Sequence, residues 1–241
     1  MAVQVVTSTN TVTQEVVADC TPWYLFGGIT ASNCIIAYTP CGAASYADSL
    51  DNNAAPGNGL ADGTYDATDE ILHIPSWTSA DGWDFDATGS EYLTTGGFKP
   101  LSSSYTMIIR FSDINNDDGV LAGFVDAAKT SFYIKPKALV GLPAYRAYSN
   151  CDVVSKSQDV ARGVLAFANR DCYLDGVLDE RLGAPGTIGD YTVNIGRESK
   201  APGNYITGKI QAIAIYNTEL SAAQIAAVTI AINALPDLAD G

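Results

Sequence analysis

The stretch Thr207-Gly-Lys-Ile-Gln-Ala-Ile-Ala-Ile-Tyr-Asn-Thr-Glu-Leu-Ser-Ala-Ala-Gln-Ile225 decides the fold. Its first half, Lys209 to Tyr216, has the isoleucine-rich, tyrosine-closed composition of a strand. Its second half opens with Ser221 and places Gln224 three residues on, a capping box in which each side chain satisfies the other's backbone N–H. Ile225, Val228, Ile232 and Leu235 then recur at helical spacing, and Pro236 is expected to end the helix. The spacing therefore predicts a strand, then one capped helix whose apolar face docks on a sheet.

Upstream of that stretch the pattern is short strands throughout. Tyr105 to Phe111, Val120 to Val125, Ser131 to Ile134, Ala144 to Tyr148, Gly163 to Ala168 and Val193 to Gly196 are apolar runs bounded by turn residues. Cys172 to Leu174 and Val177-Leu178 are joined by Asp175-Gly176, a dipeptide suited to a type I′ hairpin because both central residues need positive φ. Gly82 to Phe85 and Tyr92 to Thr94 read as a further hairpin, turning through Ala87 to Ser90. Cys34 to Tyr38 forms another short strand. Nothing supplies the crossover helices of a parallel sheet, so the expectation is all-β, an antiparallel two-sheet sandwich.

Two segments fall outside this pattern. Asp48 to Asp69 is rich in Asn, Asp, Gly, Ala and Pro without a period, and reads as one long loop. Residues 1–22 read as an extended arm of Val and Thr interleaved with polar residues, with too little bulk to fold alone. A frayed end and a strand donated to a neighbouring subunit weigh equally for it. The domain proper then covers 23–241.

Composition narrows the function classes. The 241 residues carry 27 acidic and 13 basic side chains, a net charge of −14, and no basic stripe. Such a surface repels a phosphate backbone, so nucleic acid is not an expected partner. No apolar run reaches the ~20 residues of a membrane span, and Met1 opens no secretory signal, so no membrane partner is expected either. The five cysteines are odd in number, and none are spaced as Cys-x-x-Cys. They read as buried thiols, with a Cys34–Cys41 or Cys151–Cys172 bridge left open.

The ordered features resemble the laminin-G-like branch of the concanavalin A-like lectin and glucanase jelly rolls. Gly82-Trp-Asp-Phe-Asp-Ala-Thr-Gly-Ser-Glu-Tyr-Leu93, Ser104-Tyr-Thr-Met-Ile-Ile-Arg-Phe111, Tyr173-Leu-Asp-Gly176 and the closing segment from Thr207 to Ile225 carry that resemblance. Together they span about residues 80 to 235. Ala37-Tyr-Thr-Pro40 and Gly42-Ala-Ala-Ser-Tyr-Ala-Asp-Ser-Leu50 resemble bacteriophage virion proteins that carry such a domain. The resemblance implies a jelly-roll structural protein on the virion surface, as capsid decoration or tail fibre, self-associating or packed against other virion proteins. It also implies host glycans as ligands; the alternative is a pure assembly protein with no glycan.

Enzymatic readings find little support. Glycosidase chemistry needs two carboxylates facing one sugar, and the superfamily's hydrolases hold theirs on one strand face. Here Glu70, Glu91, Glu180, Glu198 and Glu219 fall near turns or strand ends. His73 has no nucleophile-elbow sequence to serve, and reads as a structural histidine. The expected chain is therefore not an enzyme and has no catalytic residues. Tyr145 and Tyr148, with Trp77 behind them, are the candidates for stacking on a sugar ring. Asp113, Asn115, Asp117 and Asp118 place oxygens along one loop as calcium loops do, against the plainer reading of a solvated polar hairpin loop.

Overall fold

The computed structural model describes residues 21–54, 60–62, 74–95, 104–125, 130–137, 146–149, 152–154, 160–181, 192–197 and 204–235. The arm's first 20 residues, His73 and Tyr145 lie outside them. In chain order the elements are β1 (Cys34–Tyr38), α1 (Tyr46–Ser49), β2 (Leu60–Asp62), β3 (Ser76–Thr78), β4 (Gly82–Phe85), β5 (Leu93–Thr95), β6 (Thr106–Ser112) and β7 (Ala122–Val125). They continue as β8 (Thr130–Lys135), β9 (Arg146–Ser149), β10 (Asp152–Val154), β11 (Gly163–Ala168), β12 (Asp171–Leu174), β13 (Val177–Arg181), β14 (Thr192–Ile195), β15 (Gly208–Tyr216) and α2 (Ala222–Asn233).

Two antiparallel sheets result. The first runs β13-β12-β11-β6-β15-β4-β3, and β1 lies beside β15 where β4 stops. The second runs β10-β9-β8-β7-β14-β5-β2. β15 is the axis of the first sheet: Lys209 to Tyr216 pairs along its length with β6, while its other edge is shared by β4 at Gly208–Ile210 and β1 at Ile213–Tyr216.

Alternation along β15 feeds two separate cores. Ile210, Ile213 and Ile215 face the second sheet and join Met107, Ile109, Phe111, Leu165 and Phe167 of the first sheet with Leu93, Ile134, Val193 and Ile195 of the second. Ala212, Ala214 and Tyr216 face the other way, into a smaller cluster with Ile225, Val228 and Ile232 of α2 and with Trp23 and Tyr24. Small residues under the helix and large ones between the sheets suit the closer approach of α2. Each fully buried isoleucine stabilises the fold by roughly 1.5–3 kcal/mol relative to exposure.

The helix starts where the capping box places it. Ser221 Oγ accepts from Gln224 N, and Gln224 Oε1 accepts from Ser221 N at 3.0 Å. At the other end, buried Arg110 on β6 donates through Nη1 to the carbonyls of Ile232 (3.1 Å) and Leu235 (3.2 Å). A cation held against the last free carbonyls of a helix satisfies them and complements the dipole. Among the described residues no helix is long and apolar enough to cross a membrane.

Two local expectations need correction. Gly82–Phe85 and Leu93–Thr95 do not pair with each other: β4 pairs with β3 and β15, and β5 with β14 and β2. The turn at Ala87–Gly89, capped by Asp86, carries the chain from one sheet to the other, because tertiary pairing overrides the local hairpin pattern. The segment from Asp48 also contains structure, namely the end of α1 and the edge strand β2. Strands this short leave no readable period. The thiols are as read: Cys34, Cys41 and Cys172 are buried and in no disulfide, so neither bridge left open is made. Cys34 Sγ donates to Ile36 O, and Cys41 Sγ to Ala80 O, each at 3.3 Å.

The Asp175-Gly176 turn is as expected, with φ of 49° and 80°. Asp175 also accepts from Val164 N at 2.9 Å, fixing the hairpin to β11.

Candidate functional site

The first sheet has its outer side covered near β11 and β13 by α2. The second sheet's outer side is a different surface. Leu93, Ala122, Ile134, Val193 and Ile195 point into the sandwich, so their alternating neighbours face outward. In register across the strands, Tyr148 on β9 lies beside Tyr133 on β8, then Gly123 on β7, Asn194 on β14, Thr94 on β5 and Ala61 on β2. In that row Tyr133, Gly123 and Asn194 are buried and Thr94 is half-buried. Lys135 sits two residues from Tyr133, with its ammonium 4.9 Å from that ring's centre.

One corner of this face is built with more detail. Tyr92 is buried, one residue before inward-facing Leu93, and is thus on the same side as Thr94. The Arg197 guanidinium lies over its ring, 3.4 Å from the centre, and the Tyr205 ring flanks Tyr92 at 6.4 Å. Gly196, with φ of 91°, leaves no room for a side chain: a Cβ there would stand 2.6 Å from the Phe85 ring. That close approach lets Arg197 turn back over Tyr92.

The polar loop that reads as a calcium candidate holds this corner in place. Asn116 donates to Tyr205 O and accepts from Thr207 N, both at 2.7 Å. Asn115 N donates to Thr207 O, and Val120 N to Asn204 O. Asp113 is paired with Lys209 at 3.1 Å, and Asp118 with buried Lys135. Asn115 and Asp117 are exposed. Among the described residues no three His, Cys, Asp or Glu side chains come together as a metal-holding group. Asp113 and Asp118 are thus engaged by lysines, and both lie in the left-handed region of the loop.

Lys209 also bonds Asp81 at 2.9 Å. That hydrogen bond holds the Asp81 carboxyl below the usual carboxylate range and raises Lys209 in turn. Burial instead raises neighbouring Asp84.

The backbone of Tyr148 pairs with that of Tyr133, and Tyr145 lies outside the described residues. Trp77 is half-buried, packs on the main core, and donates from Nε1 to Pro40 O at 2.8 Å, which makes it a structural residue. Tyr92, Asn194, Arg197 and Tyr205 were not legible as a site. The one available signal was a polar Asn194 between Val193 and Ile195, which alternation sends outward.

No family model matches the chain, and no curated protein matches it. Solved structures do match. Domain 4 of an extracellular arabinanase from Geobacillus stearothermophilus, in complex with arabinotriose, is 13% identical with a TM-score of 0.50, over 82% of this chain and 98% of that one. The ligand binding domain of botulinum neurotoxin serotype D, in complex with N-acetylneuraminic acid, is 11% identical with a TM-score of 0.54, over 83% of this chain and 51% of that one. A mutant of Trypanosoma rangeli sialidase displaying trans-sialidase activity is 11% identical with a TM-score of 0.55, over 85% of this chain and 34% of that one. The chain thus spans about a third of the sialidase. At such identities the likeness concerns the fold, which is a concanavalin A-like sandwich of two antiparallel sheets with a C-terminal helix.

Proposed function

We propose that this chain is a non-catalytic glycan-binding sandwich carried on the outside of a virion, with the outer face of its second sheet as the binding surface. The observation that carries the reading is the register row from Tyr148 through Tyr133, Gly123 and Asn194 to Thr94, flanked by Tyr92, Arg197 and Tyr205. Tyrosine rings offer stacking faces to a pyranose, and amides and a guanidinium offer donors to its hydroxyls. The complexes of the arabinanase domain with arabinotriose and of the neurotoxin domain with N-acetylneuraminic acid support a sugar ligand for this fold. The non-catalytic part is supported by how nearby carboxylates are used, since Asp81 and Asp113 share Lys209 and so do not face a substrate as an acid–base pair. The virion location is supported by the resemblance of residues 37–50 to phage particle proteins.

A glycan array probed with the full chain tests this. Retention of a defined glycan set, lost in an Arg197→Ala variant that keeps the wild-type circular dichroism spectrum, is the expected result. No retention on any glycan refutes it.

A second reading, a pure assembly protein, is favoured by one observation. Val177 and Ile230 are 69% and 74% exposed, and Leu178 is 48% exposed. The Asp175-Gly176 turn rests against Ala226 and Thr229 of α2, which places these apolar side chains on one part of the surface. Exposed apolar residues grouped this way suit contact with a neighbouring subunit.

A further inference from the structure

We propose that the Tyr92–Asn194–Arg197 corner is a subsite for the carboxylate of an acidic saccharide, an inference that rests on the glycan-binding reading above. Asn194 is only 2% exposed, yet its Nδ2 has no acceptor. Arg197 Nε is likewise buried without an acceptor, three residues further along the chain. A buried donor left unpaired costs about 1–3 kcal/mol, and the cost is greater on a charged group. The two lie at one strand end, and unmatched buried donors are where a function is to be sought.

Charge selects the acceptor. The chain carries −14 overall, and the neighbouring cations are neutralised: Lys135 by Asp118, Lys209 by Asp81 and Asp113. Among the described residues Arg197 has no carboxylate partner; it has the Tyr92 face, which orients the guanidinium without neutralising it. Arg197 is half-buried as a residue although its Nε is buried, and the ligand group that matches a guanidinium is a planar oxyanion taken through parallel N–H bonds. Asn194 Nδ2 adds a donor on the same face, where Asn194 and Tyr92 stand diagonally across β14 and β5. The half-buried Tyr205 ring beside Tyr92 then gives the sugar an apolar wall.

Calorimetric titration of the full chain with three probes decides the matter: a glucuronate-terminated oligosaccharide, its carboxyl-reduced counterpart and a sulfated counterpart. We expect the acid to bind about ten-fold or more tightly than its reduced form, as charge-assisted bonds require. Arg197→Gln should bring that ratio to about one by weakening the acid more than the reduced form, and Arg197→Lys should restore part of it. Equal affinity for acid and reduced forms overturns the inference, as does a preference that survives Arg197→Gln. Equal or tighter binding of the sulfated probe overturns its carboxylate part. If Arg197→Gln does not fold, wild-type titrations between about 50 and 500 mM NaCl replace it, and the acid must weaken much more than the reduced form. Binding of neutral glycans without acid preference sinks this inference alone; no binding of any glycan sinks the parent reading too.

Discussion

Asn116 shows how a single residue changes meaning between sequence and fold. In Asp113-Ile-Asn-Asn-Asp-Asp-Gly119 it is one more polar residue, yet its amide clasps both sides of the Tyr205–Thr207 segment. The cysteines show the opposite, a reading that holds at the residue scale. Burial pushes the thiols of Cys34 and Cys172 up to about 12, which empties the thiolate form at neutral pH. The thiolate is the nucleophile, so these sulfurs are inert in the folded chain. Native protein treated with a thiol-reactive dye at pH 7.5 should leave Cys34 and Cys172 unlabelled, and peptide mapping after denaturation should find both reactive. Rapid native labelling at either position would contradict the buried geometry.

Among the elements, α2 is the one whose two ends are held by different kinds of information. Its start is local: Ser221 and Gln224 satisfy each other three residues apart. Its end is tertiary, because Arg110 reaches the last carbonyls from a strand more than a hundred residues earlier. Ser221→Ala should lower stability by about 1 kcal/mol through the lost cap. Arg110→Met should cost more, about 2–3 kcal/mol, because it removes two charge-assisted bonds to buried carbonyls. Denaturant melts of both variants check the order, and an Arg110→Met midpoint equal to wild type would show that the helix end needs no cation. The β4–β5 connection carries the same lesson. Phe85 and Leu93 each read correctly as strand residues, but the choice between hairpin and crossing was made by β15 and β14, the partners that bury them.

At the scale of the molecule, the second core draws in the residues that follow Pro22. Trp23 donates to Thr39 Oγ1 at 2.9 Å, Tyr24 donates to Asn53 O at 3.0 Å, and Tyr216 donates back to Tyr24 O at 2.9 Å. These bonds tie the segment after Pro22 to β1 and β15 beneath α2. A chain beginning at Thr21 should therefore keep the wild-type melting temperature to within a few degrees. One beginning at Gly27 should lose several kcal/mol by exposing the second core, since removing a large buried aromatic costs about 3–5 kcal/mol. Thermal melts of the two truncations test this; equal stability would mean that the second core does not need Trp23 and Tyr24.

The sequence by itself determined the fold class, most strand positions, the type I′ turn at Asp175-Gly176 and the start of α2. Each of these rests on interactions between residues close in the chain: alternation, capping and positive φ at a glycine turn. Only the tertiary structure decided which sheet each short strand joined, that Arg110 closes α2, and that Tyr92, Asn194, Arg197 and Tyr205 share one corner. These four residues span more than a hundred positions, and no local period links them. Their meeting depends on strand register between β5 and β14 and on the clasp of Asn116, which are long-range pairings fixed only when both sheets close on the common core.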